Sequence, residues 1–232
     1  MKWLGIIVAI VVAAVAYFYL QVSSLTFTYR YRLQLALSVD EKVHTGSSIV
    51  EVVWRCGRSF GIKHDELGPC YPSLGGQAAL IDLGSRGVVV ATLHTGENIT
   101  PVPDGVISAV WLCAFAFGNR SASEADLTSL GRLTGRRDLV PSNFPRLVWL
   151  PNPADPKSAA KVTPQNVAGV MDSTAHFTEA FVEITKDPIL VDIPNKLPWF
   201  SGLQRLQKSG QGPPSKTGEF QLVHNMFVGE NS

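Results

Sequence analysis

Residues 25–39 read LTFTYRYRLQLALSV. Apolar side chains fall at Leu25, Phe27, Tyr29, Tyr31, Leu33, Leu35, Leu37 and Val39. Between them fall Thr26, Thr28, Arg30, Arg32, Gln34, Ala36 and Ser38. Successive side chains of a strand point to opposite faces, so a strict period of two over this length predicts a long strand with one buried and one wet face. The odd-numbered set is the buried one, because a slip of one residue would bury Arg30 and Arg32 without partners. Asp40, Glu41 and Lys42 form a polar turn. Residues 47–55, rich in Ile and Val and carrying Trp54, predict a second strand that returns antiparallel to the first.

Working outward, residues 57–76 are polar and broken by Pro69, Pro72 and several glycines, which predicts a long loop. Residues 78–83 and 88–93 are apolar runs joined by Gly84, Ser85, Arg86 and Gly87, a hairpin signal. Residues 106–117 are apolar without alternation, as in a central strand covered on both faces. Ser121 followed by Glu124 matches a capping box, and Leu127, Leu130 and Leu133 follow at helical spacing. A helix of about a dozen residues is expected there, near the commonest helix length. The adjacent Arg136 and Arg137 read as a solvated turn. Residues 146–150 and 177–185 read as strands, and Thr163 and Pro164 open a short helix reaching about Met171. Residues 187–199 carry Pro188, Pro194 and Pro198 and read as an extended surface segment.

The N-terminal end differs in kind. Residues 3–20 are unbroken apolar sequence apart from Gly5 and two tyrosines, and no charged side chain appears between Lys2 and Arg30. At 1.5 Å per residue such a helix is about 27 Å long, close to the hydrocarbon thickness of a bilayer. Trp3 at one end and Tyr17, Phe18 and Tyr19 at the other suit the two interfaces. Ala14, Val15 and Ala16 resemble a signal-peptidase site, but the apolar run continues past them to Leu20. An uncleaved anchor is therefore the expectation, with the lipid bilayer as its partner through residues 3–20. Gly5, Ala9 and Ala13 share one helix face and could let two such helices approach closely. The long segment that follows the anchor places the N-terminus in the cytoplasm and the domain outside the cytoplasmic membrane.

The expected fold is an N-terminal transmembrane helix followed by one mainly antiparallel β-rich (α+β) domain with one or two short helices. The anchor covers 1–22 and the domain 23–207. A Gly/Pro/Ser linker covers 208–218, and a C-terminal strand covers 219–232.

Charge excludes one class of partner. The chain has 20 Lys+Arg and 19 Asp+Glu, and Lys2 is the sole member of either set in the first twenty residues. The remainder balances at 19 against 19, so no basic domain is available to neutralise nucleic-acid phosphates. No dinucleotide or phosphate-loop string is present, no cofactor is expected, and the five histidines form no metal-binding pattern.

Three cysteines occur, an odd count. Cys56 and Cys70 flank the expected loop; a bridge there would contribute about 3 kcal/mol and suit an oxidising compartment. Cys113 lies in the two-faced apolar run and reads as a buried small hydrophobe. Residues 57–61 spell G-x-S-x-G after a strand, and Asp192 and His224 follow in the Ser, Asp, His order of serine hydrolases. Against that reading, the segment after Gly61 carries Gly68, Pro69 and Pro72 and shows no helix. Ser158 with Lys161 and Lys216 with Thr217 and Gly218 match penicillin-binding strings, but at far too short a separation. Asn98 and Asn119 open glycosylation sequons. Trp54, Trp111, Trp149 and Trp199 could line a ligand pocket, although tryptophans are more often core.

These readings favour a tethered interaction or structural module that binds a protein partner or a second copy of itself. The alternative is a tethered hydrolase with Ser59 as nucleophile, His224 as base and Asp192 as its orienting acid. The register carries its own test in thermal melts of the domain. Tyr31→Asp should unfold it, since a buried unpaired charge costs about 3–5 kcal/mol, whereas Arg32→Asp should move the melting temperature little.

Overall fold

The computed structural model describes residues 11–12, 25–58, 67–95, 109–119, 123–202 and 227–228. The expected anchor, with Gly5, Ala9 and Ala13, lies outside these residues except for Val11 and Val12, which are helical. Among the described residues no helix is long and apolar enough to cross a membrane. The linker at 208–218 and most of the C-terminal strand also lie outside them.

The domain is mainly antiparallel β-sheet with a few short helices. In chain order the elements begin with β1 (Leu25–Val39), β2 (Lys42–Arg58), β3 (Leu67–Gly76), β4 (Ala79–Asp82) and β5 (Val88–Thr95). Two helices follow, α1 (Ala109–Ala116) and α2 (Glu124–Leu130). Then come β6 (Arg136–Asp138), β7 (Pro145–Leu150), β8 (Ala160–Val162), α3 (Val167–Val170), β9 (His176–Ile184) and α4 (Ile193–Lys196). One sheet has the order β3-β2-β1-β9-β6 and the other β4-β5-β7-β8.

The first strand has the expected register. Tyr29, Tyr31, Leu33, Leu35, Leu37 and Val39 are buried, and β1 pairs β2 from Leu25 opposite Cys56 to Val39 opposite Lys42. The even face is less wet than the alternation implies. Arg30, Arg32 and Gln34 are half-buried, and Ala36 and Ser38 are buried. Arg30 pairs with Glu51 at 2.6 Å, and Arg32 pairs with Glu183 at 3.2 Å and with Asp187. These cross-strand pairs screen one another from water. The turn is Asp40 and Glu41, both at positive φ, in the two-residue form whose twist suits a hairpin.

Five expectations need correction. The second half of the predicted loop at 57–76 is β3, an edge strand paired to β2 by its backbone. An edge strand tolerates Pro69 and Pro72 because only one side of it must donate, and so the apolar alternation is missing. The predicted strand at 106–117 is instead the helix α1, with Ala109, Val110, Leu112, Cys113 and Ala114 buried. A short apolar run looks alike in a buried strand and a buried helix, and periodicity cannot separate them. Arg136 and Arg137 belong to the edge strand β6, where the Arg136 guanidinium lies 3.6 Å above the Phe181 ring. Residues 187–199 are not merely a surface segment, because Ile193 and Leu197 are fully buried. The second helix is also shorter than expected, and its cap is Ser123, whose Oγ accepts from the Asp126 N–H at 3.2 Å.

The main core lies between the sheets. It joins the odd face of β1 to Ile81, Val89, Ala91 and Leu147 of the second sheet and to α1 and α2. The alternate residues of the second sheet, Leu80, Val88, Val90, Val148 and Leu150, pack on Ile193, Leu197, Phe200 and Phe227. The second sheet is thus buried on both faces, as its near-continuous apolar runs require. The two sheets meet closely at Gly46 of β2, where an added Cβ would lie 2.3 Å from the Leu80 carbonyl oxygen. Gly46→Ala should therefore destabilise the domain by about 1–3 kcal/mol, the usual cost of overpacking. Gly169 in α3 faces open space, so Gly169→Ala should be neutral or stabilising by up to about 1 kcal/mol. Chemical denaturation of the two variants separates these outcomes.

Candidate functional site

The serine of the G-x-S-x-G string and the histidine expected to serve it, Ser59 and His224, lie outside the described residues. Asp192 is described and is already engaged. The buried Gln77 amide donates to its Oδ1 at 2.5 Å, and Lys196 lies 3.1 Å from its Oδ2. The Gln77 carbonyl oxygen in turn accepts from the backbone N–H groups of Asp192 at 2.6 Å and Ile193 at 3.0 Å. The Gln77 hydrogen bond, reinforced by Lys196, holds the Asp192 carboxyl below its ordinary range. This group is a clamp at the start of α4. Next to it the Ala78 N–H donates to the Phe227 carbonyl at 2.7 Å, and Gln77 bridges Val228. Phe227 is fully buried, with its ring edge-to-face against Trp199 and Phe200.

The other strings also serve structure. The Ser158 hydroxyl donates to the carbonyls of Asn152 at 3.0 Å and Asp155 at 2.8 Å, closing a turn. Asn119 uses its side-chain nitrogen on Ser129 Oγ at 3.0 Å. The four tryptophans do not converge on one cleft. Trp54 and Trp111 pack edge-to-face in the main core, Trp149 donates to the Arg86 carbonyl, and Trp199 donates to the Pro153 carbonyl. Among the described residues no group of three metal-ligating side chains occurs.

Two features go beyond sequence reasoning, although the second contains the expected Cys56–Cys70 bridge. The first is a pair of buried tyrosine hydroxyls. Tyr29 donates to the Val110 carbonyl and Tyr31 to the Ala109 carbonyl, each at 2.8 Å, so β1 grips the first turn of α1. Burial raises both phenol pKa values well above the ordinary tyrosine range and also pushes the Cys113 thiol up. These groups stay neutral and anchor α1.

The second feature is the end of the first sheet where β1 begins. Its rungs are read from the register. Leu25, Cys56 and Cys70 form the first, Thr26, Arg55 and Tyr71 the second, and Phe27, Trp54 and Pro72 the third. Cys56 and Cys70 face one another on adjacent strands and are joined in a disulfide, with Cα atoms 4.0 Å apart. Trp111 stacks on Phe115 behind Trp54. A Cβ added to Gly131 would come within 3.9 Å of the Thr28 carbonyl oxygen, so the neighbouring exposed Arg132 belongs to the same end. Tyr71 is 68% exposed.

No family model, curated protein or solved structure matches this chain. The clamp gives a direct test of how the C-terminal layer is held. Gln77→Ala leaves two backbone N–H groups without their acceptor, which costs about 1–3 kcal/mol for each buried group. Hydrogen exchange should show faster opening of residues 192–197 in this variant, while β1 and β2 keep wild-type protection.

Proposed function

We propose that this chain is a membrane-anchored module. Residues 3–20 hold it in the bilayer with the N-terminus cytoplasmic, and the β-rich domain stands outside the cytoplasmic membrane. It acts by binding a protein partner or a second copy of itself. The observation that carries the reading is the Cys56–Cys70 disulfide. Disulfides persist in oxidising compartments and are rare in the cytosol. With a sequence separation of 14 the bridge contributes about 3 kcal/mol on a chain-entropy account, so the domain gains from residing where it forms.

Two further observations support this reading. Asp192 and Ser158 are engaged in a helix clamp and a turn. The first sheet presents a ladder of paired charges, Arg30 with Glu51, Arg32 with Glu183, and Arg136 with Asp138 and Glu179. Such a surface suits solvent and polar contacts better than an apolar cleft would.

The test uses the full-length chain expressed in bacterial cells. The protein should stay with membranes through alkaline carbonate and be digested by protease added to intact spheroplasts. A maleimide should modify Cys56 and Cys70 in the denatured chain only after reduction. Recovery as a full-length soluble protein, or protection from external protease, would overturn the proposal.

A further inference from the structure

The arginines on the outer face of the first sheet are not all paired, whereas Lys42 at the far end and Arg137 on the inner face are exposed cations of a different setting. Along most of its outer face every arginine has a carboxylate. Arg30 meets Glu51, Arg32 meets Glu183 and Asp187, and Arg136 meets Asp138 and Glu179. At the far end, Arg86 bridges Asp40 at 2.8 Å and Asp172 at 3.0 Å. The end where β1 begins is different. Arg55 is exposed, and its side chain donates to Ser73 Oγ at 3.3 Å. Arg132 is exposed one residue beyond Gly131, where an added Cβ would lie 3.9 Å from the Thr28 carbonyl oxygen. Among the described residues neither arginine pairs with a carboxylate. Tyr71 stands in register beside Arg55 and is 68% exposed, and Trp111 and Phe115 are half-buried behind the same rungs.

Chain length sets where this end must lie if residues 3–20 form the anchor. From Leu20 to Thr26 is six residue steps, which span at most about 21 Å when fully extended. The headgroup zone on one side of a bilayer is about 5–8 Å deep. The rung of Thr26, Arg55 and Tyr71 is therefore tethered within reach of the headgroups. The opposite end is about 40–50 Å further along β1. Exposed aromatics and cations not neutralised by a carboxylate are the residue types that interfaces of anionic bilayers favour.

We propose that Arg55, Tyr71 and Arg132 dock the first sheet end-on against anionic lipid headgroups of the membrane that holds the tether. This rests on the anchored reading above. Docking makes the sheet stand upright on the bilayer and presents the Asp40 turn outward. Each arginine near an anionic surface contributes a factor of about five to the ratio of docked to lifted domain.

The test reconstitutes the full chain in vesicles of phosphatidylcholine with phosphatidylglycerol, carrying a headgroup spin-labelled lipid. A bimane fluorophore is placed at Thr26→Cys, exposed on the same rung opposite Arg55, or, as the distant control, at Val43→Cys, a position 61% exposed near the opposite end. Quenching should be strong at 26 and absent at 43. It should weaken in phosphatidylcholine alone, in Arg55→Glu/Arg132→Glu, and in about 1 M salt, where the screening length falls to about 3 Å. Equal quenching at 26 and 43 in the chain with both arginines intact would overturn the docking without relying on the charge-reversed variant. So would quenching at 26 that ignores lipid charge and salt. A chain that leaves the vesicles in alkaline carbonate would overturn the anchored reading, and the docking with it. A chain that stays but fails the comparison of positions overturns the docking alone.

Discussion

The strand β1 is the constraint on which the other elements depend. It pairs with β2 along its whole length and with β9 from Tyr31 to Ser38, so it is the central strand of its sheet. Its pleat sends alternate side chains to a buried face and a charged one, and that division propagates to both neighbours by register. Its two inward tyrosines do more than fill volume. By donating to the carbonyls of Ala109 and Val110, they fix where α1 starts on the sheet. A leucine at either position would fill similar space but leave those donors absent and α1 less firmly placed.

The second sheet is held between two apolar layers, and small features set its position. Gly46 lets the backbone of β4 approach β2 where any side chain would collide. Gln77 then works on the other side, satisfying two backbone N–H groups of the α4 start and one carboxylate oxygen. Both devices act on backbone groups, which must find partners once buried. The outer apolar layer of Ile193, Leu197, Phe200 and Phe227 is therefore tied down by polar geometry as well as by area.

The charged face follows a different logic. Its ion pairs are partly exposed, and each contributes roughly 0–1 kcal/mol. Their value is in register and solubility, since a slipped strand would separate Arg30 from Glu51 and Arg32 from Glu183 together. Arg32 shows how tertiary neighbours alter a surface position. With Glu183 and Asp187 around it, an aspartate there would join two like charges, so the small effect expected of Arg32→Asp from an open wet face is corrected to a destabilisation, and Arg32→Gln is the milder exchange. Asp172 in the far turn is held below its ordinary pKa, first by the Thr174 backbone N–H and hydroxyl and then by Arg86. Its contribution is present above the ordinary carboxylate range and is lost only as acid brings the pH down through the lowered value.

The residues of β1 and β2 determined their own hairpin, its register and its buried face, because period-two patterning is a local property that any pleated backbone must obey. The hairpin of β4 and β5 was legible for a similar reason, through its Gly84 to Gly87 turn. The proline-bearing β3 was not, since an edge strand is defined by a neighbour's backbone and needs no pattern of its own. Nor was α1, because an apolar run buried all round carries no periodicity to distinguish helix from strand. The candidate groups divide in the same way. Proximity in sequence suggested the Cys56–Cys70 bridge, and pairing of β2 with β3 brings the two thiols face to face. The role of Asp192 was decided by Gln77, 115 residues away, and that of the two tyrosines by carbonyls about 80 residues away. Local sequence carries strand faces and turns; only tertiary contact decides which buried polar atom answers which, because those partners meet across the fold and not along the chain.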